Sequence, residues 1–290
     1  MKVQNCLSVE RDKTPPPQVP PSISRSSETY LIRTLLTRPP TAGYVPIVCA
    51  GSHWCDRSAL ENVVVFGDSY SKSDDGRTWV GHLGKRLQRR DAPIRIHNFA
   101  FPGATAEYDF STQFSSFFDL CPPKKDIYSG IPTLDPEKTV YFLFLGINDC
   151  GNSEPDDLES IVETLFDGVH DLYIKARARN FVFIDVPPTD RSPQAIDCET
   201  SDEAEERVRT WNDALLAQTT EFGTSTEQAT TLLFSSHRVL TEVLDDPCEF
   251  DFTEDDATAE GGGIWTDGLH LSTHVHDILA ERLMASVFPP

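Results

Sequence analysis

Three blocks of polar residues in this chain have the types and spacing that ester or acyl chemistry needs. The stretch Val63-Val64-Val65-Phe66-Gly67-Asp68-Ser69 ends an apolar run on a serine. Near the other end, Trp265-Thr266-Asp267-Gly268-Leu269-His270 sets an aspartate three residues before a histidine. A serine hydroxyl is a weak nucleophile at neutral pH and needs an adjacent base. His270 can be that base, and Asp267 can hold its tautomer and stabilise the imidazolium. A spacing of three lets both side chains come from one loop. Between them lies Gly146-Ile147-Asn148-Asp149, after another apolar run. Locally, Ser69 reads equally as a turn residue ending a strand and as a nucleophile placed there by it. Asn148 and Asp149 likewise suit a turn. Asp68 and Asp149 are expected to orient their loops and not to react.

The elements around these blocks favour the reactive reading. Asn62–Gly67 and residues 139–146 are uninterrupted apolar runs, as strands buried on both faces require. Residues 93–99, 181–188 and 230–235 read as further strands. Helices are expected over 76–90, with Trp79, Leu83 and Leu87 on one face, and over 156–179, with acids first and bases last. Others are expected around Trp211 and Leu215 and from Thr273 to Val287. Strands alternating with helices predict a three-layer α/β/α fold on a mainly parallel, five-stranded sheet. Such sheets bind ligands beyond the carboxyl ends of their strands, where Ser69 falls. The segment 106–138 contains no clear element and is expected to supply walls of the pocket.

In this order the blocks resemble the SGNH hydrolase superfamily, the GDSL esterases and lipases. Gly67-Asp68-Ser69 matches the first block, with Tyr70 where the short name has leucine. Gly103 matches the second, Gly146-Ile147-Asn148-Asp149 the third, and Asp267-Gly268-Leu269-His270 the last. The resemblance spans roughly residues 53–288. It implies the flavodoxin-like fold of that superfamily and a Ser69-His270-Asp267 triad. It also implies an oxyanion hole made of the Ser69 and Gly103 backbone N–H groups and the Asn148 side-chain amide, with no metal or organic cofactor. Glycine at 103 suits a backbone that a substrate must approach closely. The α/β-hydrolase elbow is a different motif, G-x-S-x-G, and Ser71 stands where its last glycine would be.

Three stretches, residues 185–193, 235–247 and 265–283, are similar to fungal members of carbohydrate esterase family sixteen, which remove acetyl groups from plant-cell-wall oligosaccharides. That likeness implies a short-chain acyl, most specifically acetyl, ester of a small molecule or oligosaccharide as substrate. An acyltransferase or a lipase or lysophospholipase using the same triad is the alternative, and an inactive binding module is a further one. The chain departs from the likeness by lacking an export signal and by reading His270-Leu271-Ser272-Thr273 where a histidine-proline is common.

Composition narrows the setting. With 46 acidic against 25 basic residues the net charge is −21, which disfavours nucleic acid and anionic membrane surfaces as partners. Hydrophobic residues make up 39% of the 290, enough for a sizeable core. No run is apolar enough to span a bilayer, and the first residues lack a signal-peptide core, so a cytoplasmic protein is expected from the chain as given. A misassigned start that hides an export signal would make it extracellular. Residues 1–52 are expected to form a polar, proline-rich, largely disordered or peripheral tail, and 53–290 the hydrolase domain. The seven cysteines are expected to be reduced thiols. Cys49, His53 and Cys55 loosely suggest zinc but lack a fourth ligand. His270, His274 and His276 also invite a metal reading, but His270 has the better role as base. His274 and His276 are expected on the surface at a helix start, and Trp265 either lines the pocket or packs.

Overall fold

The computed structural model describes residues 47–49, 59–73, 75–88, 94–121 and 133–288. Apart from 47–49, the proline-rich tail lies outside them, as do His53 and Cys55.

Six strands form one sheet: β1 (Ile47–Cys49), β2 (Asn62–Gly67), β3 (Arg95–Asn98), β4 (Thr139–Phe144), β5 (Asn180–Ile184) and β6 (Thr230–Phe234), in the order β1-β6-β5-β4-β2-β3. The expected five strands, β2 to β6, are all parallel. The short β1 adds to the edge of β6 in the antiparallel sense. Every residue of β2, β4, β5 and β6 is buried. Successive side chains point to opposite faces, so both faces are covered.

Helices provide that cover: α1 (Trp79–Leu87), α2 (Phe110–Leu120), α3 (Ile147–Asn152), α4 (Pro155–Lys175), α5 (Pro193–Asp197), α6 (Ser201–Ser225), α7 (Ser236–Asp245) and α8 (Thr273–Val287). α1 packs on α8 and α8 on α7; α2 packs on α4 and α4 on α6. α4 shows why such a segment is helical. Pro155 opens it, Asp156 and Asp157 sit in its first turn and Lys175 in its last, matching the helix dipole. Leu158, Ile161, Val162, Leu165, Val169 and Leu172 bury one stripe.

Two corrections concern segments read from sequence. Within 106–138, expected without structure, Phe110–Leu120 is a helix that buries Phe110, Gln113 and Phe117. His276, expected on the surface, is 5% exposed inside α8, with its ring edge-to-face on Tyr70 at 5.7 Å. His274 is exposed, as expected. Trp265 packs: it is fully buried, and its Nε1–H donates to the Ala257 carbonyl at 3.0 Å.

Candidate active site

The first parallel strand, β2, has β3 on one side and β4 on the other, so the chain's direction of winding reverses between β2 and β4. That switch point is where α/β sheets open a crevice beyond their strand ends. Gly67 pairs in register with Phe144, so Asp68-Ser69 and Gly146-Asn148 leave the sheet side by side.

The serine turn is built from its own residues. The Ser71 and Lys72 N–H groups both donate to the Asp68 carbonyl at 3.0 Å, and the Tyr70 N–H donates to Asp68 Oδ1 at 2.9 Å. Asn98, ending β3, donates to the Ser71 carbonyl at 2.9 Å. Asp68 is wholly buried, and burial pushes its carboxyl up to about 7 despite the Tyr70 N–H, with the nearby Asp149 charge adding to the rise.

The Asn148 segment starts at Gly146, whose φ of 118° is open chiefly to glycine. A Cβ there would also lie 2.2 Å from the Trp211 ring. Asn148 Nδ2 donates to the Ala104 carbonyl at 2.9 Å and lies 3.5 Å from Asp68 Oδ2. Asp149 accepts the Ala106 N–H at 3.0 Å and the Glu107 N–H at 3.2 Å, which ties the Gly103 loop to α3. Burial raises the Asp149 carboxyl to about 6 against those two donors. Gly103 has φ 79°, and a Cβ there would meet no atom within 4 Å. Its φ demands glycine, and the space in front of it is open.

The histidine loop is a closed β-bridged turn. Trp265 and Leu271 bridge, Thr266 N–H donates to the His270 carbonyl at 2.7 Å, and Ser272 N–H donates to the Ile264 carbonyl at 2.8 Å. Inside it, Asp267 Oδ1 accepts the Leu269 N–H at 2.9 Å and the His270 N–H at 2.7 Å. His270 Nδ1 lies 2.8 Å from Asp267 Oδ2, and His270 Nε2 lies 2.9 Å from Ser69 Oγ. Burial works to raise the Asp267 carboxyl, but hydrogen bonds from the His270 and Leu269 N–H groups and the His270 ring hold it below the usual range. An ionised carboxylate only accepts, so the Nδ1 proton points at Asp267 and the Nε2 lone pair at the Ser69 hydroxyl.

Ser69, Gly103, Asp267 and His270 thus lie on loops and Asn148 in the first turn of α3, with Ser69, His270 and Asp267 in one hydrogen-bonded chain. The Ser69 and Gly103 N–H groups donate to no acceptor among the described residues. Sequence reasoning missed Gln113, which is buried and bonds the Gly67 backbone twice. Its signal was a polar residue three after Phe110 and four before Phe117, on the stripe α2 buries. Among the described residues no cluster of His, Cys, Asp or Glu could hold a metal ion, and no helix is long and apolar enough to cross a membrane.

A three-layer α/β/α fold with a serine, a histidine and an asparagine beyond its strand ends defines the class of SGNH-type ester hydrolases. The chain belongs to the GDSL-like lipase/acylhydrolase family, which it matches over residues 63–283. Among curated proteins it is similar to an acetylesterase of Thermothelomyces thermophilus, 25% identical over 274 residues that cover 79% of this chain and 88% of that one. Among solved structures it resembles BT4096, a gut microbial diltiazem-metabolizing enzyme, at TM-score 0.51 and 16% identity, covering 78% of this chain. The match takes in 46% of BT4096, so this chain spans about half the length of that relative. The acetylxylan esterase Axe2 from Geobacillus stearothermophilus aligns at TM-score 0.49 and 15% identity, over 79% of this chain and 94% of its own.

Proposed function

We propose that this protein is a serine esterase that hydrolyses short-chain acyl esters, acetyl esters of carbohydrates foremost, through an acyl-enzyme on Ser69. The observation that carries the reading is the unbroken chain Ser69 Oγ, His270 Nε2, His270 Nδ1, Asp267 Oδ2, at 2.9 and 2.8 Å. Ser69 Oγ attacks the ester carbonyl as its proton passes to His270 Nε2. The imidazolium is held by Asp267 and gives the proton to the leaving alcohol. Water then attacks the acyl-enzyme, losing a proton to His270, and that proton returns to Ser69 as the acid departs. The unengaged Ser69 and Gly103 N–H groups are donors for the oxyanion, joined by the Asn148 amide hydrogen that otherwise makes a long bond to Asp68 Oδ2 at 3.5 Å. The acetyl preference is supported by the acetylesterase relative, and the carbohydrate moiety by the segments similar to family-sixteen esterases.

The test is hydrolysis of a chromogenic acetyl ester by the protein and by Ser69→Ala, with a fluorophosphonate label mapped by mass spectrometry. Ser69→Ala is expected to lose roughly 10⁴-fold or more in kcat, and the label to sit on Ser69. A label on another serine with Ser69→Ala fully active overturns the reading. An octanoyl ester outpacing the acetyl ester would make the enzyme a lipase, and acyl transfer to added alcohol a transferase.

A further inference from the structure

We propose that the Tyr70 hydroxyl is a positioning group for His270, acting through the Leu269 carbonyl. This rests on the triad reading above and adds to it the residue that holds the two halves of the triad together. Tyr70 directly follows Ser69, and Leu269 directly precedes His270. The Tyr70 O–H donates to the Leu269 carbonyl at 2.7 Å, joining segments 199 residues apart. One residue along on each side, Ser69 Oγ meets His270 Nε2 at 2.9 Å. The two hydrogen bonds and the two short pieces of chain close a ring, so the distance between nucleophile and base is set from both ends.

The grip falls on a single peptide unit. The carbonyl of the 269–270 peptide is held by Tyr70, and its N–H donates to Asp267 Oδ1 at 2.7 Å. A peptide is planar, so fixing both of its polar groups fixes its plane and the place of the Cα that carries the His270 side chain. Asp267 therefore orients His270 twice, at the ring and at the backbone, and Tyr70 opposes it from the other side. The phenol itself has no freedom to swing. Tyr70 is 0% exposed, with its ring edge-to-face against Phe144 at 5.9 Å and His276 at 5.7 Å. A buried tyrosine ordinarily finds some acceptor for its hydroxyl; here the acceptor is the peptide that carries the base. Leucine, the residue of the family's short name at this position, has no donor to offer.

Tyr70→Phe removes the hydroxyl and keeps the ring. The assay uses the full chain on a chromogenic acetyl ester, with rates expressed per active site counted by fluorophosphonate and folding followed by thermal melts. The expected result is a kcat about 10- to 100-fold lower with KM within about twofold, the pattern of a misplaced base. In an Asp267→Ala background, which takes away the acceptor of the His270 N–H, the same substitution is expected to cost less, because the peptide it grips is already loosened. A wild-type kcat per active site in Tyr70→Phe, whatever its melting temperature, overturns the proposal, as does a loss that is fully additive with Asp267→Ala. Ser69→Ala measured alongside separates the two levels. If that variant stays active, the triad reading fails and takes this inference with it; if it is inactive while Tyr70→Phe is undiminished, only the inference fails.

Discussion

Gln113 grips the backbone of Gly67 with both ends of its amide: Oε1 accepts the Gly67 N–H at 2.9 Å, and Nε2 donates to the Gly67 carbonyl at 2.7 Å. Gly67 is the last residue of β2, and Ser69 follows two residues later. A strand end inside a protein needs partners for backbone groups that its neighbours no longer pair. Gln113, itself 1% exposed, supplies a donor and an acceptor in one side chain and so anchors the serine turn to α2.

Replacing Gln113 with leucine keeps the volume and strands the Gly67 N–H in a dry interior. The Phe101 N–H, 3.3 Å from the Gly67 carbonyl, leaves that oxygen one weaker partner. An unsatisfied buried donor, together with the loss of a second hydrogen bond, is expected to cost about 2–4 kcal/mol. Chemical denaturation would read this as a lower midpoint at unchanged slope. Gln113→Leu as stable as the parent would show that the clamp contributes nothing.

His276 predicts a dependence on acid. Burial, with the nearby charges of His82 and His270 adding to it and Asp75 opposing, pushes its imidazole down to about 3. Its Nδ1 has no partner among the described residues. The unfolded chain binds this proton from about pH 6.5 downward while the native state refuses it. The unfolded state thus holds the extra proton between those values, and stability is lost as pH falls through that window. Each pH unit costs about 1.4 kcal/mol, so near pH 5 the penalty is about 2 kcal/mol. His276→Phe keeps a ring against Tyr70 and removes the titration. Its stability relative to the parent is expected to rise by about that amount between pH 7 and pH 5, as urea melts at the two pH values would show. Buried carboxyls such as Asp68 pull the opposite way, but they are common to both proteins and cancel in the comparison. An unchanged difference between the two pH values would mean that His276 is protonated in the native state.

What the sequence made legible follows from which interactions are local. β2 and β4 are readable because a strand covered on both faces is apolar along nearly its whole length, as Val63–Phe66 and Val140–Phe144 are. α4 is readable because its opening proline, its charges and its buried stripe lie within its own 21 residues. The site residues are readable for a different reason: each sits immediately beyond a strand or inside one short loop. The roles of Gln113, Tyr70 and His276 are set by partners far away in the chain. Ser-Thr-Gln-Phe reads as a polar loop until Gly67 is placed beside it. His276, early in a helix capped by Ser272, reads as solvated until Tyr70 packs against its ring. Tertiary contact decides these residues, and neither local propensity nor periodicity carries it.

Asn148 is where the oxyanion role and a simple turn role give opposite rankings. One hydrogen of its amide is committed to the Ala104 carbonyl at 2.9 Å, which fixes the plane of the group, and the other makes only a long bond to Asp68 Oδ2 at 3.5 Å that an oxyanion would replace. Such a donor matters most near the transition state, so Asn148→Ala is expected to lower kcat by about 10²–10³ with KM little changed. Asn148→Asp is expected to be worse. A carboxylate there would donate nothing, would face the Ala104 carbonyl, and would stand near the carboxyl of Asp68, which the present amide approaches to 3.5 Å. It would also oppose the negative charge developing on the substrate. A turn-forming role predicts the reverse, because aspartate shapes a turn nearly as well as asparagine and alanine does not. Steady-state kinetics on both variants, with thermal melts to check folding, separate the two, and a stable Asn148→Asp enzyme with near-normal kcat would remove this amide from the oxyanion hole.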